Sequence, residues 1–165
     1  MAADLGKLVR YKAWANELLY DGVAKLPEAA LTQPDPIIFG NLLRTLHHTY
    51  AMDFVWRAHL IGEPHGLTSR NPDFCPTFPE IRDAQRAMDA WFVEYADHLA
   101  DDARAETVAF QFIGGGPGAM TREDIILHVV NHGTYHRGHV AGMMHRQGTN
   151  APTTDYPVFL KSGAV

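Results

Sequence analysis

The chain has 165 residues, 46% of them apolar, which is enough for one domain, residues 1–165, burying roughly 70% of the surface its unfolded form exposes. A single cysteine, Cys75, excludes an internal disulfide framework and suits a reducing compartment. A net charge of −5 with no dense Lys/Arg block argues against a nucleic-acid partner, and no apolar signal core or run of about 18 apolar residues argues for export or for a membrane partner. The expectation is a cytoplasmic protein.

The first helical segment is expected from about Asp4 to Leu26, with Leu5, Leu8, Ala15, Leu18 and Leu19 at helical spacing before Pro27. The stretch PEAALTQPDPIIFG follows, and its three prolines forbid a continuous helix. A second segment, about Asn41 to Ile61, carries Leu42, Leu43, Leu46 and Tyr50 on one face. A long proline-punctuated connection leads to a third, about Pro79 to Leu99, with Ile81, Met88, Trp91, Phe92 and Tyr95 on its inner side.

In TVAFQFIGGGPGAMT, Val108, Phe110 and Phe112 alternate with smaller or polar neighbours. That pattern predicts a short strand entering a glycine-rich turn, a hairpin-like insertion before the last helix. The glycines resemble a phosphate loop only superficially, because no Lys-Ser/Thr pair follows them. Thr121 is placed to cap a fourth segment with Asp124 three residues on, and this helix is expected to reach about Gln147 before Gly148. Four amphipathic helices with long connections indicate an all-α fold, a four-helix bundle with long crossover connections.

Ten histidines stand against fourteen Lys plus Arg. On the fourth helix His128, His132, His136 and His139 fall on the stripe of Ile125, Val129, Val140 and Met143. Each unbonded polar group in an apolar interior costs roughly 1–3 kcal/mol, so four in one line call for something that occupies their nitrogens, and a metal ion does so. Residues four apart lie about 6 Å apart along a helix, close enough for two imidazoles to share one ion. The candidate pairs are His128/His132, His132/His136 and His136/His139. Gly133 occupies the place of a zincin's general-base glutamate, which excludes that type of protease.

A third ligand must come from another helix, and the second offers His47 and His48. His47 borders the Leu42/Leu43/Leu46 stripe and is favoured by periodicity. His48 lies with Met52 and Val55 on a second apolar side and stays open. His59 and His65 are read as solvated, and His98 and His145 as favourable charges near helix C-termini. Met143 and Met144 are read as core, Trp14, Phe54, Trp56 and Trp91 as packing between helices with one of them open to line a substrate pocket, and Arg137 as facing solvent or an anionic substrate group. The terminal PTTDYPVFL is apolar enough to fold against the bundle or a partner subunit.

Taken together, RYKAWANELL, LLRTLHHTYAMDFVW, HVVNHGTYHRGHV and TTDYPVFL resemble the DinB/YfiT-like putative metalloenzymes over nearly the whole chain. In that family one histidine of the second helix, five residues before an Asp-x-x-Trp, joins two of an N-H-x-x-x-H-R-G stretch. The resemblance implies His48 (with Asp53 and Trp56), His132 and His136 as metal ligands, and so selects His48 over His47. It further implies a four-helix bundle of unusual connectivity, often a homodimer. His139 stands where many relatives carry glutamine.

Three histidines leave at least one position of a divalent ion open, the arrangement of catalytic sites. Zinc or nickel is expected. The leading expectation is a metal-dependent enzyme of hydrolase or thiol-dependent S-transferase type, acting on a small-molecule substrate with water or a low-molecular-weight thiol as nucleophile; the resemblance implies the thiol. Cys75, in a loop without a base, is not that nucleophile. Two alternatives remain: a non-catalytic, stress-related metal-binding bundle braced by its ion, and a metal-free bundle whose histidines bond buried carboxylates such as Asp53.

Overall fold

Capping residues decide where the long helices begin. In the computed structural model, which describes residues 4–164, Asp4 accepts the Lys7 N–H and opens α1 (Leu5–Val23). The outermost positions of the expected 1–165 domain, residues 1–3 and 165, lie outside the described residues. The helix ends three residues short of Leu26, because the approach to Pro27 disfavours helical backbone. Pro27 then caps a five-residue α2 (Glu28–Thr32) inside the linker, where a missing N–H costs nothing. The prolines forbid a long helix there, not a single turn.

Asn41 caps α3 (Leu42–Ile61), which stops at Gly62 in the left-handed region, φ 73°. Thr77 and Glu80 form a reciprocal capping box on α4 (Phe78–His98). After a single 3-10 turn at Ala103–Ala105, strands β1 (Thr107–Gln111) and β2 (Pro117–Thr121) pair antiparallel, Phe110 opposite Gly118. Gly114, Gly115 and Gly116 all have φ near +100°, so the glycine run is a hairpin turn. Thr121 caps α5 (Arg122–Arg146) by accepting the Asp124 N–H and donating to the Asp124 carboxylate at 2.7 Å.

The four long helices are α1, α3, α4 and α5. Both α1 and α3 pack against α4 and against α5. Successive long helices α1 and α3 therefore stand diagonally, as do α4 and α5, and the long connections exist to make those crossings. The fold is mostly helical, with a short hairpin before a long helix. The consequence for function is direct: α3 and α5, the two histidine helices, are neighbours.

Two large apolar clusters fill most of the interior, and a third, Ala51, Met52 and Val55, is smaller. Of the large ones, one gathers Leu5, Val9, Phe92, Ile125, Val129 and Phe159; the other Leu19, Leu46, Ile81, Val140 and Met143. Short α6 (Tyr156–Ser162) brings Phe159 into the first cluster against Tyr11 and Trp14, so the terminal segment does fold onto the bundle. No helix among the described residues is long and apolar enough to cross a membrane.

Between the clusters lies a charged layer that the helical patterning did not announce. Lys12 is fully buried, and its ammonium lies 2.6 Å from Asp53 and 2.5 Å from Asp89. Burial opposes its charge, but the two carboxylates outweigh that and hold its pKa above the ordinary lysine value. Gln85 donates to both carboxylates, and Asn16 to Asp89. Arg137 completes the layer rather than facing solvent or a ligand: it is buried, donates to Asn16 and Thr134, and lies over the Tyr11 ring.

Candidate metal centre

His48 sits mid-way along α3, and His132 and His136 lie one turn apart on α5. Their nitrogens can all stand within 4.8 Å of one another. His48 and His136 are buried and His132 half-buried. The Nε2 atoms of His48 and His132 approach to 3.3 Å. Two nitrogens each 2.0–2.1 Å from one tetrahedral ion stand about 3.3 Å apart, so the spacing suits a shared cation.

What holds each ring explains which nitrogen is offered. His48 Nδ1 lies 2.6 Å from the carbonyl oxygen of Arg70, which can only accept, so this nitrogen carries the proton and Nε2 presents its lone pair. Phe39 stacks on the same ring at 3.9 Å between centroids. His136 Nδ1 lies 3.3 Å from His139 Nδ1. His132 Nδ1 is buried with no hydrogen-bond partner.

All three imidazoles are held below their ordinary pKa. Burial is the main cause each time, and it brings His132 down to about 2 and His136 to about 4, with neighbouring rings adding to the effect. At neutral pH these are uncharged donors, the form a metal requires. Two lone pairs pointed at each other repel unless a proton or a cation lies between them. The donor set, its spacing and its protonation therefore fit a divalent ion, and the cluster could hold one.

The remaining histidines separate cleanly. His47 is buried but takes no part in the cluster, so the preference that periodicity gave it fails: α3 packs on two sides, and its second side carries the cluster. His128 stacks on His132 and meets the edge of Trp56, outside the triad. His59 and His65 are not simply solvated. They pack edge to face, and His59 stacks on Phe110. Among the described residues Asp53 forms no hydrogen bond with a histidine and serves Lys12 and Gln85 instead.

The triad opens into a cavity of about 620 Å³ walled by α3, α5, the hairpin and the loops at 38–39 and 69–71. Two parts of it lie beyond the helical histidine pattern. The Arg70 carbonyl carries no side-chain signal at all. The hairpin rings do have one: Gly118 faces Phe110, and a Cβ there would stand 2.5 Å from that ring, so glycine lets the aromatics fold inward.

The sequence profile of the DinB family matches residues 1–163. The chain belongs to the DinB family. Protein DinB of Bacillus subtilis (strain 168) is 24% identical over 163 residues, covering 93% of this chain and 92% of that one. A crystal structure of a DinB-like protein from Bacillus cereus ATCC 10987 superposes with a TM-score of 0.67 at 22% identity, covering 87% of this chain and 90% of its own. A conserved protein from Enterococcus faecalis gives 0.62 at 13%, covering 82% and 92%. At these identities the structures speak for the DinB-like fold.

Proposed function

We propose that this DinB-family protein is a metal-dependent enzyme, with His48, His132 and His136 as ligands of one divalent ion, zinc or nickel, and a small molecule as substrate. The reading rests chiefly on the 3.3 Å approach of two imidazole Nε2 atoms from separate helices beside His136, at the wall of a cavity large enough for a substrate. A divalent ion there supplies Lewis acidity, lowering the pKa of a water or thiol brought against it toward neutrality.

The chain's own groups do the rest. The Arg70 carbonyl fixes the His48 tautomer, and Phe39 keeps its ring from turning. Cavity walls built largely of aromatic carbon exclude water from the reacting groups and orient the partner molecule. The nucleophile would be water or a low-molecular-weight thiol, giving hydrolase or S-transferase chemistry. Cys75 is half-buried, its thiol is pushed up by burial and it does not line the cavity, so it is not that nucleophile.

Elemental analysis of protein purified without a nickel column is the first test, with one zinc or nickel per chain expected and none in His132→Ala. The metal-loaded protein is then assayed on ester and amide substrates and on thiol-plus-electrophile pairs. Turnover lost in a folded His132→Ala supports the enzyme. Bound metal with no turnover, and a steep loss of thermal stability on its removal, would favour a bracing ion.

A further inference from the structure

The lining of the cavity narrows what it accepts, given the metal reading on which this step rests. No aspartate or glutamate lines it. Its one permanently charged residue is Arg70, whose guanidinium forms no ion pair among the described residues and whose charge is felt at His48. Three neutral imidazoles leave the double charge of a bound ion uncompensated, so the site gains by admitting an anion.

Apart from Ser69, Asn71, Gln111 and the outlying histidines, the rest of the lining is mainly carbon. Phe39, Trp56 and Phe110 present aromatic surface, and Trp56 meets Phe110 edge to face at 5.0 Å. At the mouth Ile38, Phe112 and Tyr135 stay 75%, 51% and 61% exposed. Large apolar side chains left in water beside a cavity mark a surface that a ligand covers. The volume lies mid-range for sites that enclose a drug-sized ligand, roughly 300–1,000 Å³.

We propose that the substrate is an aromatic carboxylic acid, its carboxylate directed toward Arg70 and the histidine triad and its ring system laid among Phe39, Trp56 and the hairpin rings Phe110 and Phe112. A small dianion lacks the body, and a neutral aromatic lacks the head.

Isothermal titration of the zinc-loaded and metal-free protein with 2-naphthoate, 2-naphthalenemethanol and succinate tests this. Naphthoate is expected to bind most tightly, with the alcohol at least fivefold and succinate at least tenfold weaker. Arg70→Gln should weaken naphthoate severalfold and leave the alcohol unchanged, since the backbone carbonyl holding His48 survives that change. Phe112→Ala, at a half-exposed position safe for folding, should weaken both naphthyl compounds alike. An alcohol as tight as the acid, a preference for succinate, or no binding by any of the three would overturn the proposal. Zinc that fails to bind, with acid preference and Arg70 dependence kept in the metal-free protein, would sink the metal reading alone; bound zinc without acid preference would sink only the substrate class.

Discussion

His136 and Arg137 are adjacent in sequence and equally buried, 4% and 5% exposed, yet they face regions built on opposite terms. Arg137 points into a layer where Lys12 pairs with both carboxylates and Arg137 meets an amide oxygen, while Asp53 Oδ1, Gln85 Oε1 and Arg137 Nε are left without a hydrogen bond among the described residues. His136 points into a cluster where two imidazole Nε2 atoms stand 3.3 Å apart with no carboxylate lining the cavity beside them, and the Nδ1 of its neighbour His132 has no partner. Desolvation is tolerated in the first region because the chain supplies the opposite charges itself. The second keeps its binding capacity for something that is not protein. Neither burial nor a single orphaned atom marks a functional site; several donors of one kind converging with no opposite charge among them do.

The contrast can be broken from the charged side first. Lys12→Ala strands Asp53 and Asp89 in the core, and removing one partner of a buried pair costs about 3–5 kcal/mol; urea unfolding should show that loss. A change under 1 kcal/mol would mean that the layer is solvated and the comparison false. Gly133→Ala probes the seam between the regions. Its new Cβ would stand 3.3 Å from both Lys12 Cε and Arg137 Nη1, so overpacking opposes the roughly 0.5–1 kcal/mol that alanine gains over glycine inside a helix, and a net change of under about 2 kcal/mol is expected, with metal affinity little changed.

On the histidine side, His139→Ala removes the group beside His136 Nδ1 and should weaken metal binding about tenfold while hardly touching metal-free stability. Titration with a competing chelator reads the first effect and thermal melting the second. The same histidines should also respond to pH. His48, His132 and His136 are held neutral in the fold, their pKa values below the ordinary 6.5, chiefly by burial. Between that value and the depressed ones the unfolded chain binds protons that the folded chain refuses. Stability of the metal-free protein should therefore be complete above about pH 6.5 and fall as the pH drops below it. Melting curves of wild type and His132→Ala compared across pH 7 to 5 should show a shallower loss in the variant.

The four long helices, the hairpin, the cap at Thr121 and the inward line of α5 histidines were legible in the residues, since periodicity and capping are local physics that neighbours in sequence settle. Reading Lys12 as interior was within reach, because it shares a helical face with Leu8 and Ala15, but a lone lysine is ordinarily solvated and its two carboxylates come from other helices. What the chain could not announce depends on pairs far apart along it. Which of His47 and His48 meets α5 follows from α3 being wedged against two helices at once. His48 owes its orientation to a backbone carbonyl 22 residues away. The aromatic cavity exists only because a hairpin from beyond α4 folds over α3 and α5. Local sequence determined the rods and their sticky faces; packing decided which faces meet, because a contact between distant residues has an energy only once the fold has brought them together.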